Sequence, residues 1–288
     1  MSLSARQLSP HLNGRQFQLL MQQLQRRAGI RIESPLGVIE ACIGERMQAL
    51  GLCDCDEYLA LIDDSISARA EWLALVDLLT VKETRFFRQP AALEAVGEYV
   101  DAWLQREDTG NGFSFWSAGC SAGQELYSIA MVVEQRLHAR EPWLEWHGIG
   151  TDISFGAVTE AQQGRYREGA IARIPAPYRR GYTHRVSDQW WAIDDAIRAR
   201  CHFFHSNLLH VNDAPFADFN VIVCQNVLIY FERDVQLWII DQLVDRLRDG
   251  GLLVLGAGED LGWKHPCMQR ATWPGVTAYK KTGGVSGD

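Results

Sequence analysis

Long apolar runs are missing from this 288-residue chain. A helix needs about 20 apolar residues to cross a bilayer, and stretches such as GLLVLGAG (251–258) stop far short of that. The first residues, MSLSARQLSPHLNGRQ, have neither the basic flank nor the apolar stretch of a secretory signal. We therefore expect a cytoplasmic protein with no membrane-inserted segment. Positive charge is in short supply: 28 Lys and Arg face 36 Asp and Glu, for a net charge of −8. Neutralising a phosphate backbone takes a basic surface, so nucleic acid is not an expected partner.

Cysteines are too scattered for a disulfide framework. There are seven, an odd count. Cys42, Cys120, Cys201, Cys224 and Cys267 sit among apolar neighbours, in the manner of reduced, packed thiols. Cys53 and Cys55 form a C-x-C pair with no partners at zinc spacing, and no metal site is expected. His202 and His205, three apart in an expected strand, face opposite sides and make poor joint ligands. Neither a Ser/His/Asp nor a Cys/His constellation stands out, and repeats and low-complexity tracts are lacking.

What is there has the balance of a globular protein, with 47% hydrophobic residues. The first part reads as helices. In FQLLMQQLQRRAGI, Phe17, Leu20, Met21 and Leu24 recur at helical spacing, and Gly29 closes the helix. GVIEACIGERMQALG, DEYLALIDD and AEWLALVDLLT continue the pattern. From Phe113 the chain alternates strand, turn and helix. FSFWSAG precedes helix QELYSIAMVVEQRL, and WHGIGTDIS precedes helix FGAVTEAQQG. FNVIVC precedes helix RDVQLWIIDQLVDRLRDG, read as stopping at Gly250-Gly251 before strand LLVLG. Strands apolar on both faces, alternating with helices, predict an α/β fold with a parallel sheet covered by helices. VTAYKK is expected to add an antiparallel edge strand.

The turn in FWSAGCSAGQELYSIAM (115–131) is the first candidate site. It is neither a Walker A loop, since no Gly-Lys-Ser/Thr follows, nor G-x-G-x-x-G, since its spacing is Gly119-x-x-x-Gly123. Glycines there let backbone amides approach a ligand and let the helix pack closely on the sheet. Glu125 falls in the first turn of that helix, where a carboxylate either complements the helix dipole or receives a bound amine or hydroxyl. Asp152 ends the next strand, on the rim where doubly wound sheets bind ligands. An acid there accepts from ribose hydroxyls; it also suits a helix N-cap, though Ser154 can take that place. A glycine turn, an acid after the second strand and no phosphate-gripping lysine together fit S-adenosylmethionine, a nucleoside without phosphates.

TVKETRFFRQ, FWSAGCSAGQELYSIAM, GTDIS, FHSNLL and FNVIVCQNVLIYF, in this order, resemble the chemotaxis-receptor glutamate methyltransferases (CheR-type). The likeness runs from roughly residue 15 to residue 282. It implies an N-terminal helical domain (1–85) and a Rossmann-like S-adenosylmethionine-binding methyltransferase domain (86–288). A small β-subdomain is expected inside the latter, near 178–202. The implied reaction is methyl transfer to glutamate side chains on the cytoplasmic helices of a chemoreceptor, leaving S-adenosylhomocysteine.

Carried over by motif, Lys82, Thr84 and Arg88 close over the cofactor from the linker. Arg88 presents a fork of donors suited to the methionine carboxylate. Glu125 holds the amino end and Asp152 the ribose. Asn207 and Leu208 frame the adenine, and Gln225 and Asn226 complete the rim. No general base is required, because a glutamate carboxylate is already ionised at neutral pH; Arg88 and Tyr230 remain for positioning the substrate. The resemblance suggests a monomer.

The chain departs from the family pattern in five places. Lys82 replaces Asn in N-E-T, and Gln124 replaces the first acid of G-E-E. Helix VIEACIGERMQALGL carries only Arg46 where members that dock on acidic receptor helices show several arginines. RRGYTHRVSDQWWAID lacks a glycine-rich loop, so no tether to a receptor's C-terminal peptide is expected. GAGED replaces G-H-S-E, putting Ala257 in the histidine's place and leaving Glu259 structural. Two other readings stay open: a non-catalytic S-adenosylmethionine-binding signalling scaffold, and a nucleic-acid methyltransferase. Asn226-Val227-Leu228-Ile229-Tyr230 lacks the Pro-Pro of the latter class.

Overall fold

A computed structural model describes residues 10–63, 68–106, 112–141 and 143–283. Four helices come first: α1 (Gly14–Ala28), α2 (Leu36–Leu50), α3 (Cys55–Asp63) and α4 (Arg69–Leu79). α1 begins with a capping box, in which the Asn13 side chain accepts from Gln16 N–H and the Gln16 side chain accepts from Asn13 N–H. It ends at Gly29 (φ 74°), as the sequence predicts. A side chain at Gly29 would sit 2.8 Å from Leu209, so the glycine also permits close contact with the SNLL segment.

Residues 80–89 lead into α5 (Pro90–Trp103), followed by β1 (Phe113–Ala118), α6 (Gln124–His138), β2 (Trp146–Asp152) and α7 (Phe155–Gln163). A small antiparallel sheet then interrupts the alternation. It holds β3 (Arg165–Arg167), short helices α8 (Glu168–Ile171) and α9 (Ala176–Tyr182), β4 (Thr183–Arg185) and β5 (Trp190–Ile193), in strand order β3-β5-β4. The short helix α10 (Asp195–Arg198) returns the chain to β6 (Cys201–His205). β7 (Phe219–Cys224), α11 (Arg233–Asp245), β8 (Leu247–Leu255), β9 (Met268–Trp273) and β10 (Val276–Lys281) complete the chain.

The main sheet has seven strands in the order β6-β2-β1-β7-β8-β10-β9. The first five are parallel, and β10 pairs antiparallel with β8 and β9. β1 and β7 are buried at every position, as central strands covered on both faces must be. The sheet order reverses direction beside β1, so the ends of β1, β2 and β7 open a crevice at the same rim.

Three sequence expectations need correction. The inserted sheet spans 165–193 and not 178–202, because Arg165–Arg167 pairs with β5 while Cys201 already belongs to the main sheet. α11 stops at Asp245, five residues before Gly250; Gly250 (φ 73°) lies within β8, where the pairing with β7 slips register between Phe219 and Val221. The glycines therefore mark a bulge rather than a helix end. VTAYKK is antiparallel, but β9 lies outside it and forms the edge.

The helical part does not have a core of its own. Leu20, Leu24, Ile39, Ile43 and Leu75 share one apolar cluster with Trp116, Ile222 and Leu253 on one face of the sheet. The other face packs against α5 and α6. Polar ties reinforce that junction. Arg31 N–H donates to Tyr230 O (2.7 Å), Asn207 Nδ2 to Arg27 O (3.0 Å) and Gly156 N–H to Asp77 Oδ2 (2.9 Å). No helix among the described residues is long and apolar enough to cross a membrane.

Arg46, the one arginine of α2, faces inward. Its Nε and Nη2 grip the Glu71 carboxylate at 3.0 and 2.7 Å, and Tyr58 Oη donates to the same group at 2.8 Å. Glu71 is only 7% exposed. Removing one partner of such a pair strands a buried charge. Arg46→Ala is expected to cost about 3 kcal/mol of stability in urea unfolding, and Tyr58→Phe about 1–2 kcal/mol. A smaller loss for Arg46→Ala than for Tyr58→Phe would contradict this account of the helical part.

Candidate functional site

The crevice at the rim widens into a cavity of about 460 Å³, in the range of small-molecule sites. Its floor is the turn after β1. Gly119 (φ 86°), Ser121 (φ 49°) and Gly123 (φ 90°) all take left-handed backbone conformations. A side chain at Gly119 would overlap Val227, and one at Gly123 would lie 2.8 Å from Ala161. The glycines thus let the loops after β1 and β7 touch and let α6 pack beside α7.

Four amides of this turn are already committed. Gly119 and Cys120 N–H both donate to Thr151 O, at 2.8 and 2.9 Å. Ser121 N–H donates to Asp152 Oδ2 (2.8 Å), and Gly123 N–H to Cys120 O (3.0 Å). A pyrophosphate would need these donors turned outward as a nest. They face inward, so the floor does not suit a dinucleotide.

Asp152 ends β2 on the cavity wall. Its Oδ1 accepts from Ser154 N–H and its Oδ2 from Ser121 N–H, both at 2.8 Å. Ser154 Oγ caps α7 by accepting from Ala157 N–H (3.1 Å), which frees Asp152 from that role. Burial pushes the Asp152 pKa up, and the two N–H donors hold it partly down. An ionised carboxylate has about four acceptor sites, so each oxygen keeps capacity for a hydroxyl.

Glu125 lies in the first turn of α6, with Oε1 accepting from Ser117 Oγ at 2.7 Å. Burial raises its pKa to about 7, and the Ser117 hydrogen bond and the more distant Arg88 do not offset this. Glu125 is thus a carboxyl near neutrality on the cavity wall, with no cation bonded to it among the described residues. Ser121 Oγ, also at the wall, is buried without a partner among the described residues.

The other expected residues divide. Thr84 and Arg88 line the cavity from the linker, with Arg88 Nη1 donating to Glu83 O at 3.0 Å. Leu208, Gln225, Asn226 and Tyr230 also line it. Asn207 is at the wall, with Nδ2 donating to Arg27 O and Oδ1 accepting from Leu209 N–H (2.9 Å), which leaves one donor and one lone pair of the amide. It holds the segment to the end of α1 while still lining the cavity. Lys82 is a correction. It is absent from the cavity wall, and its Nζ lies near Gly156 at the start of α7. Gln124 and Ala257 do not line the cavity either.

Glu259 is the hidden support of the rim. It is 3% exposed, and its carboxylate accepts from Val227 N–H (3.0 Å) and Asn226 N–H (2.9 Å), fixing Asn226 in its left-handed conformation (φ 59°). A side chain at Gly256 would overlap Glu259. Sequence reasoning missed the segment Ile30–Ser34, which supplies part of the cavity wall from the helical part. The helix stop at Gly29 was its only signal. Among the described residues no group of three or more His, Cys, Asp or Glu is placed to hold a metal ion.

The family model described as CheR methyltransferase, SAM binding domain, matches residues 82–272. Chemotaxis protein methyltransferase 1 of Pseudomonas aeruginosa is 30% identical over 249 residues, covering 85% of this chain and 90% of that protein. The chemotaxis protein methyltransferase of Klebsiella aerogenes is 30% identical over 254 residues, covering 86% and 84% respectively. That of Escherichia coli is 27% identical over 275 residues, covering 93% and 91%. With a fold, a phosphate-free nucleoside cavity and relatives that agree over nearly the whole length, the chain belongs to the CheR family of S-adenosylmethionine-dependent methyltransferases.

Proposed function

We propose that this protein is a glutamate O-methyltransferase that modifies glutamate side chains on the cytoplasmic domain of a chemoreceptor. One observation carries the reading: two partly buried acids, Asp152 and Glu125, line one cavity whose floor commits the amides of Gly119, Cys120, Ser121 and Gly123 to the protein's own oxygens. That pattern suits a cofactor with a ribose at one end, an ammonium at the other and no phosphate between. S-adenosylmethionine, when bound, supplies an activated methyl group. Asp152 would take the ribose hydroxyls, Glu125 the ammonium and Arg88 the carboxylate beside it.

The remaining task is alignment. Tyr230 is half-buried at the mouth, and burial raises its pKa, so its hydroxyl stays protonated and can donate to an incoming carboxylate. Arg88 adds positive charge on the same side. Holding nucleophile and methyl carbon in line can contribute roughly 7–11 kcal/mol in favourable cases. No base is asked of the protein, consistent with a substrate already ionised. Lys82, Gln124 and Ala257, the departures that would favour a non-catalytic scaffold, lie off the cavity. Arg46 is engaged with Glu71, so receptor docking is not expected to use an arginine of α2. The short β4–β5 hairpin (residues 186–189) supports the absence of a receptor-peptide tether, and a monomer suffices for the chemistry described.

Label from S-adenosylmethionine should appear on receptor fragments, be released by base, and vanish when the methylated glutamates are replaced by alanine. Base-stable label, or label on RNA, would overturn the assignment. Asp152→Ala is expected to weaken S-adenosylhomocysteine binding at least about tenfold, the equivalent of about 1.4 kcal/mol for one charge-assisted contact. Unchanged calorimetric affinity would remove Asp152 from the site.

Glu125 sets a pH dependence with a definite sign. Only its ionised form attracts an ammonium, and its pKa in the free protein is about 7. Binding a cation lowers that pKa, so affinity is full above pH 7 and falls as pH drops below it. Between pH 7 and 5.5 the dissociation constant should rise, and Glu125→Gln should flatten the curve. An equally steep curve in Glu125→Gln would assign the ammonium to another group.

A further inference from the structure

Asp77 sits on α4 in the helical part, 75 residues before Asp152, yet it acts on the same stretch of chain. Its Oδ2 accepts from Gly156 N–H at 2.9 Å. Gly156 is the second residue of α7, whose first-turn N–H groups have no intrahelical partner. The bond therefore caps α7 from outside, as a second acceptor beside Ser154 Oγ. Ser154 N–H in turn donates to Asp152 Oδ1. One continuous line of contacts runs from α4 through the first turn of α7 to the acid on the cavity wall.

The other oxygen of Asp77 is unusual. Oδ1 is buried with no hydrogen-bond partner among the described residues. A desolvated carboxylate oxygen is costly unless a donor or cation stands near it. Lys82 is a cation on the same side of the α7 N-terminus, although its Nζ makes no ion pair with Asp77. A side-chain carbon at Gly156 would lie 3.0 Å from Asp77 Oδ2 and 3.6 Å from Lys82 Nζ, so both charged groups crowd the same point at the α7 N-terminus. Lys82 is exposed and belongs to the linker 80–89, whose residues Thr84, Glu83, Arg85 and Arg88 line the cavity.

We infer that Asp77 and Lys82 form a latch that fixes the linker against the start of α7 and so positions the cavity's roof over Asp152. Both are positioning residues; neither lines the cavity. Lys82, exposed on the linker, brings a positive charge within reach of the unsatisfied Oδ1, and closing that gap draws the linker down on the side where Thr84 and Arg88 line the cavity. The inference rests on the reading of the cavity as a nucleoside site.

The test is calorimetric binding of S-adenosylhomocysteine to the full chain, with melting curves to choose a temperature at which every variant is folded. Asp77→Ala should weaken binding about fivefold, the scale of a lost helix cap, and Asp77→Asn, which keeps an acceptor for Gly156 N–H but loses the charge facing Lys82, should weaken it about threefold, as Lys82→Met does. Lys82→Met should weaken binding about threefold alone, the scale of an exposed pair, and should add nothing in the Asp77→Ala background. In turnover the KM for S-adenosylmethionine should rise while kcat holds, because no group at the reacting atoms has changed. Unchanged affinity in Asp77→Ala, an asparagine as poor as alanine, or additive effects of the two replacements would each overturn the latch. Failure of the unmodified protein to bind S-adenosylhomocysteine would instead overturn the nucleoside reading beneath it.

Discussion

The Asp152 carboxylate holds the site together before any ligand arrives. Through Ser121 N–H and Ser154 N–H it joins the turn after β1 to the start of α7, at the end of the strand between them. Those two donors help keep a buried acid ionised against the cost of its desolvation. With Thr151 O, which takes Gly119 and Cys120 N–H, Asp152 commits the floor's amides inward, away from the place a pyrophosphate would need them. Without Asp152 the turn at Ser121 would lose the partner that supports its left-handed backbone (φ 49°).

A second acid performs a comparable service on the other side of the crevice. Glu259 receives Asn226 and Val227 N–H, and Gly256 exists in a form that leaves room for it. Val227 then presses on Gly119, so the loops after β1 and β7 fix each other. The helical part closes the remaining side. Its apolar face shares a core with the sheet, and Ile30 bridges to Phe231 next to Tyr230. The cavity is thus walled by two parts of the chain that cannot separate without exposing common core.

The parallel sheet was legible because apolar runs such as FNVIVC alternate with helices, and central strands buried on both faces leave that mark. Asp152 and Glu125 could be picked out because strand ends and helix first turns are predictable places. The glycines at 250 and 251 misled, since a bulge and a helix stop use the same residue for the same conformational freedom. The β-subdomain was misplaced because RYR, three residues long, has no periodicity of its own and becomes a strand only by pairing with β5. Lys82 was drawn into the site by its place in a motif, whereas its long side chain reaches away to α7. The Ile30–Ser34 wall and the inward turn of Arg46 depend on packing between distant segments, which no local pattern records.

We propose that one phosphate-free nucleoside spans the cavity from Asp152 to Glu125. A crystal structure of the protein with S-adenosylhomocysteine tests it most directly. The account predicts ribose hydroxyls within hydrogen-bond distance of both Asp152 oxygens, the amino group on Glu125, and the floor's amides still bonded to Thr151 and Asp152. A ligand seated elsewhere, or a floor that turns its amides outward to meet it, would contradict the account.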